Sequence, residues 1–256
     1  LASFAVRLRL TLPYNQLPNW EVHMARARLA DEAVDAILDR IVDGTWAPGS
    51  ALPPETELAA ILRVSRPTMR EAVRALGERG VLRVVHGRGT YVAEMASWSD
   101  LPTIIEVLAR TTPPRQLGEQ LTQLRRMIEV GAAGLAAGQR SDDDLDRLAR
   151  CLDEYDDAAR AGDIDTIVQR DLDFHRQILV ASGNPLLAPV MSALDHAARR
   201  SRRITSEQSD VRERARTHHR AILTAISDGD ATRAKEAMRA HMTQTAEDLA
   251  RFADQD

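Results

Sequence analysis

Four polar residues stand on helical faces that are otherwise apolar. Between residues 163 and 182 the apolar stripe is Ile164, Ile167, Val168, Phe174, Ile178 and Leu179. Asp171 and His175 fall on that same side, four residues apart, so both point one way. His219 falls among Ala215, Ile222, Leu223 and Ile226, and His241 among Ala234, Ala237, Met238 and Thr245. Burying a carboxylate and three imidazoles without partners costs several kcal/mol. One divalent cation satisfies all four, and this donor set suits Zn first, then Ni, Fe or Mn. Each histidine alone reads more simply as a core-edge residue with an ordinary hydrogen bond. Their recurrence on three helices is what favours a shared metal.

A second constellation is basic. Arg66, Arg70 and Arg74 recur every fourth residue, opposite a short apolar stripe of Met69, Ala72, Val73 and Leu76. Ser65 stands where an N-cap belongs, and Pro67 suits the first turn. Such a helix packs by one side and offers guanidinium groups from the other, which a DNA major groove accepts. On an isolated helix the same stripe would be a solvated face. The flanks decide otherwise. Glu57–Leu62 reads as a preceding helix, ending in a short polar break. After Gly80, residues 81–85 and 90–93 read as two strands around a turn at 86–89. Helix-turn-helix followed by a hairpin is a winged helix.

These residues resemble the GntR family of bacterial transcription regulators. The matching positions are Leu52-Pro53-Pro54-Glu55-Thr56-Glu57-Leu58-Ala59, then Ser65-Arg66, Arg70-Glu71-Ala72, Leu76, Gly80 and Gly87-Arg88-Gly89-Thr90-Tyr91-Val92. The resemblance implies DNA contacts from Ser65, Arg66, Thr68 and Arg70 on the helix and from His86 and Gly87 in the wing. Thr56 occupies a contact position where the family usually carries Arg, implying one fewer basic contact and a different operator.

The chain has 256 residues, 44% hydrophobic but only 4% aromatic, so aliphatic side chains must fill its interior, as in packed helices. A formal net charge of −4 excludes a generic nucleic-acid coat and requires a local basic patch. One cysteine, Cys151, excludes an intrachain disulfide and fits a reducing cytoplasm. No run approaches the length of a membrane span.

The expected organisation is a tail at 1–22, a winged helix at 23–93, a linker at 94–101 and a helical domain at 102–256. The first helix is expected over Ala25–Val42, with Leu29, Ala33, Ala36, Ile37 and Ile41 on its inner face. Beyond the linker, helices are expected at about 102–110, 116–138, 141–161, 163–182, 185–206, 209–228 and 230–253. Short punctuating loops such as Ala161-Gly162-Asp163 make this an up-and-down antiparallel bundle. The fold class is therefore mainly α, a winged helix plus an all-α bundle. The basic run Arg199-Arg200-Ser201-Arg202-Arg203 reads as a solvated face.

The bundle resembles the FCD ligand-binding domain of the FadR-type branch of that family. The match consists of Asp171, Phe174 and His175, the Gly183-Asn184-Pro185-Leu186 turn, His219 to Ile222, Gly229-Asp230 and His241. The resemblance implies a divalent metal on Asp171, His175, His219 and His241, its shell completed by an organic acid or water. It also places an Arg-x-x-x-Glu pair at Arg125 and Glu129, with Arg125 as a clamp for an effector carboxylate. Gln123 stands where the family carries an acid, and the adjacent Arg126 leaves a surface role open for Arg125.

The expected protein is a cytoplasmic homodimeric regulator that reads a pseudo-palindromic double-stranded operator. A small carboxylate at the metal site controls DNA affinity, and the family resemblance points to repression. Two other functions use the same four residues. One is sensing of the metal itself. The other, a metal-dependent hydrolase, lacks an evident acid, base or nucleophile beside the ligands, so no catalytic residue is assigned.

Overall fold

Local signals set the helix ends. The computed structural model describes residues 19–252. Ser65 caps its helix, its hydroxyl accepting from the Thr68 amide at 3.2 Å. Ser141 and Asp144 form a reciprocal capping box, with Ser141 N donating to Asp144 Oδ2 at 3.0 Å. Gly162, at φ +72°, ends the helix begun there, and Asp163 caps the next.

The chain divides into two units, residues 1–107 and 108–256. In the first, α1 spans Asn19–Val42, α2 Glu55–Ile61 and α3 Arg66–Glu78. Strand β1, Leu82–Val85, pairs antiparallel with β2, Gly89–Val92, placing Leu82 opposite Val92 and Val85 opposite Gly89. A short 3₁₀ turn at Met95–Ser97 leads into α4, Leu101–Thr111. Helix α1 packs on α3 through Ala33, Val34, Ile37, Leu38 and Ile41, and Met69, Ala72, Val73 and Leu76 close the core from α3. The periodicity placed Ala33, Ile37, Ile41 and the four α3 residues inside; Val34 and Leu38 are buried as well, and Ala36 is only half-buried.

Three departures follow from packing. Helix α1 begins at Asn19, six residues before the expected start; the rest of the expected tail lies outside the described residues. Leu29, expected on its inner face, is exposed, because the buried stripe begins at Ala33. The stretch 94–101 is packed: Trp98 is buried in the core of the first unit, its indole donating to the Ala93 carbonyl at 3.1 Å. Gly80 makes this possible, since a Cβ there would lie 2.8 Å from the Ser97 carbonyl oxygen.

The second unit holds α5 (Pro114–Gln139), α6 (Asp142–Ala161), α7 (Ile164–Ala181), α8 (Leu187–Ser192), α9 (Asp195–Ser206), α10 (Ser209–Ser227) and α11 (Ala231–Phe252). Helix α5 packs on α11, α11 on α10, α10 on α6, α6 on α7, and α7 back on α5, closing a ring. The single helix expected over 185–206 is two. It breaks at Ala193–Leu194, where the Ser192 hydroxyl bonds back to the Pro189 carbonyl at 2.7 Å and Leu194 turns fully inward. Among the described residues no helix is long and apolar enough to cross a membrane.

Candidate functional site

The ring of helices brings three of the four expected ligands, His175, His219 and His241, to one point, with Asp171 beside them. Asp171 and His175 come from α7, one turn apart, His219 from α10 and His241 from α11. All four are buried. His241 Nε2 lies 3.3 Å from His219 Nε2 and 3.2 Å from His175 Nε2. Asp171 Oδ1 lies 3.3 Å from His219 Nε2 and 3.9 Å from His175 Nε2. Donors at about 2.0–2.1 Å from a tetrahedral Zn are separated by about 3.3 Å, so the three imidazoles could hold a cation between them, with Asp171 at the edge of that triad.

Electrostatics point the same way. Burial, and then the neighbouring charges, hold the imidazoles of His219 and His241 well below the usual histidine range. Both are neutral and keep a lone pair for a metal. Their Nδ1 atoms have no hydrogen-bond partner. Phe174 and Tyr155 fix the plane of His219, with ring centroids 4.8 and 6.0 Å away.

Two residues outside the expected ligand set hold the ligands in place. Glu129 Oε2, from α5, lies 2.5 Å from His175 Nδ1. That contact puts a carboxylate against Nδ1 while Nε2 faces the other histidines, the placement that orients metal-bound histidines. Burial pushes the Glu129 carboxyl up, but Arg125 and His175 outweigh it and hold it well below the usual carboxylate range. Arg202, from α9, pairs with Asp171 Oδ2. This corrects the reading of 199–203 as a solvated face. Arg199 and Arg203 are exposed, on Gln169 and Asp165, but Arg202 is buried. Helical spacing on a run with four arginines gives no clue to which one turns inward.

Arg125 is not a surface residue. It is 6% exposed, its Nε donating to Glu129 Oε1 at 2.7 Å, while its Nη2 has no partner. Arg125, Arg202, Glu129 and His175 line one cavity beside the centre, of about 20 Å³. A second, of about 40 Å³, lies against Asp171 and His241.

The basic constellation stands in the first unit. Arg66, Arg70 and Arg74 are exposed and line one shallow groove on α3. Arg70 pairs with Glu55 at 3.3 Å and Arg74 with Glu78 at 3.8 Å, both in solvent, so each pair is worth about 0–1 kcal/mol and yields readily to phosphate. Arg66 has no ion pair among the described residues. Ser65, Thr56, His86 and Gly87 are exposed as well, the last two in the wing turn, where Gly87 takes φ +73°. Thr68 differs. It is buried, its hydroxyl 2.7 Å from Ser65 Oγ, and so completes the N-cap rather than the exposed face.

Comparison with known proteins agrees with both halves of this description. Residues 29–92 match the bacterial regulatory proteins of the gntR family, and residues 120–244 match the FCD domain. The chain is 32% identical over 219 residues to the HTH-type transcriptional regulator LutR of Bacillus subtilis (strain 168), covering 83% of this chain and 97% of LutR. It is 28% identical over 207 residues to the Galactonate operon transcriptional repressor of Escherichia coli (strain K12), covering 78% and 89%. Among solved structures, Streptococcus agalactiae GntR aligns with a TM-score of 0.50 at 28% identity, covering 85% of this chain and 99% of that one. These matches are to transcription regulators, not enzymes. The chain belongs to the GntR family: it is a DNA-binding transcription regulator with a ligand-sensing FCD domain.

Proposed function

We propose that this regulator is a cytoplasmic homodimer that represses from a pseudo-palindromic operator, and that a small carboxylate on a bundle-held divalent cation sets its DNA affinity. The convergence of three Nε2 atoms within 3.2–3.3 Å contacts carries the reading. Asp171, His175, His219 and His241 hold the cation, zinc being the first choice for a compact set of nitrogen and carboxylate donors. The unpartnered Nη2 of Arg125 offers the effector's carboxylate a charge-assisted bond beside the centre. A relative named as an operon repressor supports repression. Arg66, Arg70 and Arg74, with Ser65, Thr56, His86 and Gly87 around them, contact the operator, and a two-fold dimer matches a two-fold site.

The small size of the flanking cavities favours one competing reading, in which the cation itself is the signal. Thermal unfolding against a panel of small carboxylates, before and after metal stripping, separates the two. A ligand at a hundred times its Kd adds about 2.7 kcal/mol. On the carboxylate reading, one acid raises the midpoint of the metal-loaded chain and leaves the stripped chain unchanged. If stripping lowers the midpoint and no acid adds to it, the cation is the signal. A chain that purifies without metal and takes up none defeats both.

A further inference from the structure

One residue of the DNA-binding unit sits in a conformation that its type resists. Arg63 lies in the turn between α2 and α3 at φ +55°, the one non-glycine residue with a positive φ among the described residues. Two hydrogen bonds that close α2 put it there. The Val64 amide donates to the Ala59 carbonyl at 3.0 Å, and the Arg63 amide to the Ala60 carbonyl at 3.3 Å. This pair of bonds is a Schellman end, whose left-handed position glycine normally fills. The same pair closes α3, α6 and α10, and there the position holds Gly80, Gly162 and Gly229. With a Cβ the left-handed conformation is strained.

Nothing within the fold compensates that strain. Leu62 and Val64 pack against the core of the first unit, while Arg63 between them is exposed. Its guanidinium has no ion pair or hydrogen bond among the described residues. Arg70 and Arg74 each have a carboxylate partner. Arg63 and Arg66, which stand on either side of the N-cap Ser65, have none. Strained backbone of this kind gathers where function requires the residue. Arg63 precedes the helix that enters the groove, so its cation is placed for the DNA backbone rather than for a base edge.

We propose that Arg63 is a further DNA-contacting residue, which holds a backbone phosphate beside the groove that α3 enters, and that the strain of the turn is kept for that contact. The inference rests on the reading that α3 meets the operator. A phosphate contact carries no sequence information. It adds affinity for any duplex, releases a counterion and fixes the register of the helix that follows.

The test is fluorescence anisotropy of the full-length protein on two labelled duplexes over a range of salt. One duplex is enriched from a random pool by the unaltered protein, and the other is of random sequence. Arg63→Gly should bind both about fivefold weaker for each bound protomer at about 0.15 M salt, and the slope of log affinity against log salt should fall by about 0.9 per protomer. Arg63→Asn, also at ease in the left-handed region, should match it, and Arg63→Lys should keep the slope. Relief of strain should meanwhile raise the unfolding midpoint of the glycine variant by about 2 °C or more, so weaker binding is not misfolding. Unchanged affinity and slope in Arg63→Gly overturn the proposal. So does a loss of affinity at unchanged slope, which marks an effect of turn shape, and a loss confined to the enriched duplex, which marks a base contact. A midpoint that falls shows that Arg63 serves the fold and overturns it as well. Arg66→Ala on the same duplexes separates the two levels. If it too leaves binding unchanged, the assignment of α3 falls and this inference with it; if it weakens binding while Arg63→Gly does not, this inference alone falls.

Discussion

The two functional regions handle charge in opposite ways. On α3, three arginines stand in solvent, two of them in weak pairs with Glu55 and Glu78. In the bundle, two arginines, two carboxylates and three imidazoles are buried and locked together, Arg202 on Asp171 and Arg125 on Glu129. Solvated pairs contribute little to stability and are exchanged at little cost, as a surface that must bind and release DNA requires. Buried ones cannot be removed singly, because each loss strands a charge in low dielectric. The first region is therefore open to substitution with little effect on folding, and the second is not.

Acidification should break the buried region most completely. His219 and His241 have imidazoles held below the usual range by burial, so the folded bundle keeps them neutral, while the unfolded chain takes up protons near the ordinary histidine pKa of about 6.5. Their contribution is thus fully present above about pH 6.5 and falls as the pH drops below it. Protons also compete with metal for the same lone pairs. Metal content measured after dialysis should be retained at pH 8 and lost by about pH 5, while the first unit's far-ultraviolet signal persists.

Next in size is Asp171→Ala. It removes a metal donor and strands Arg202, so chemical denaturation should register a loss of about 3–5 kcal/mol. A loss under 1 kcal/mol would mean that Arg202 finds another partner. Glu129→Gln sharpens the comparison, since it leaves all four donors in place and removes only the contact to His175 Nδ1. Competition with a chelator should show metal affinity weakened about 10–100-fold.

The exposed arginines should respond in binding alone. Arg66→Ala should weaken operator binding by about 1–3 kcal/mol if the lost contact is to a base, with the unfolding midpoint unchanged. Fluorescence anisotropy with a labelled operator gives both the affinity and its salt dependence. Smallest is Ser65→Ala, which removes the N-cap of α3 and should cost about 1 kcal/mol of stability. Equal stability of this variant would show that Thr68 caps the helix unaided.

Legibility in the sequence followed solvent exposure and local chemistry. The inner faces of α1 and α3, the wing hairpin and the caps at Ser65 and Ser141 were readable because each depends on neighbours within a few residues. Asp171, His175, His219 and His241 stood out for a different reason: each is a polar side chain set in an apolar stripe, and that conflict is visible without knowing the partner. The break between α8 and α9 was not, because Ser192 turning its hydroxyl onto the Pro189 carbonyl competes only weakly with a continuing helix.

What the sequence determined by itself is most of the elements, the two domain types and the polar residues that stand on apolar faces, since these rest on periodicity, capping and the cost of burying polar groups. Tertiary structure alone decided which arginine of 199–203 turns inward and that Glu129 rather than solvent meets His175. Those outcomes depend on contacts between residues up to 46 positions apart, as between Glu129 and His175. Helical spacing gives a side chain's direction about its own axis, and only the packing of the ring of helices fixes what it meets there.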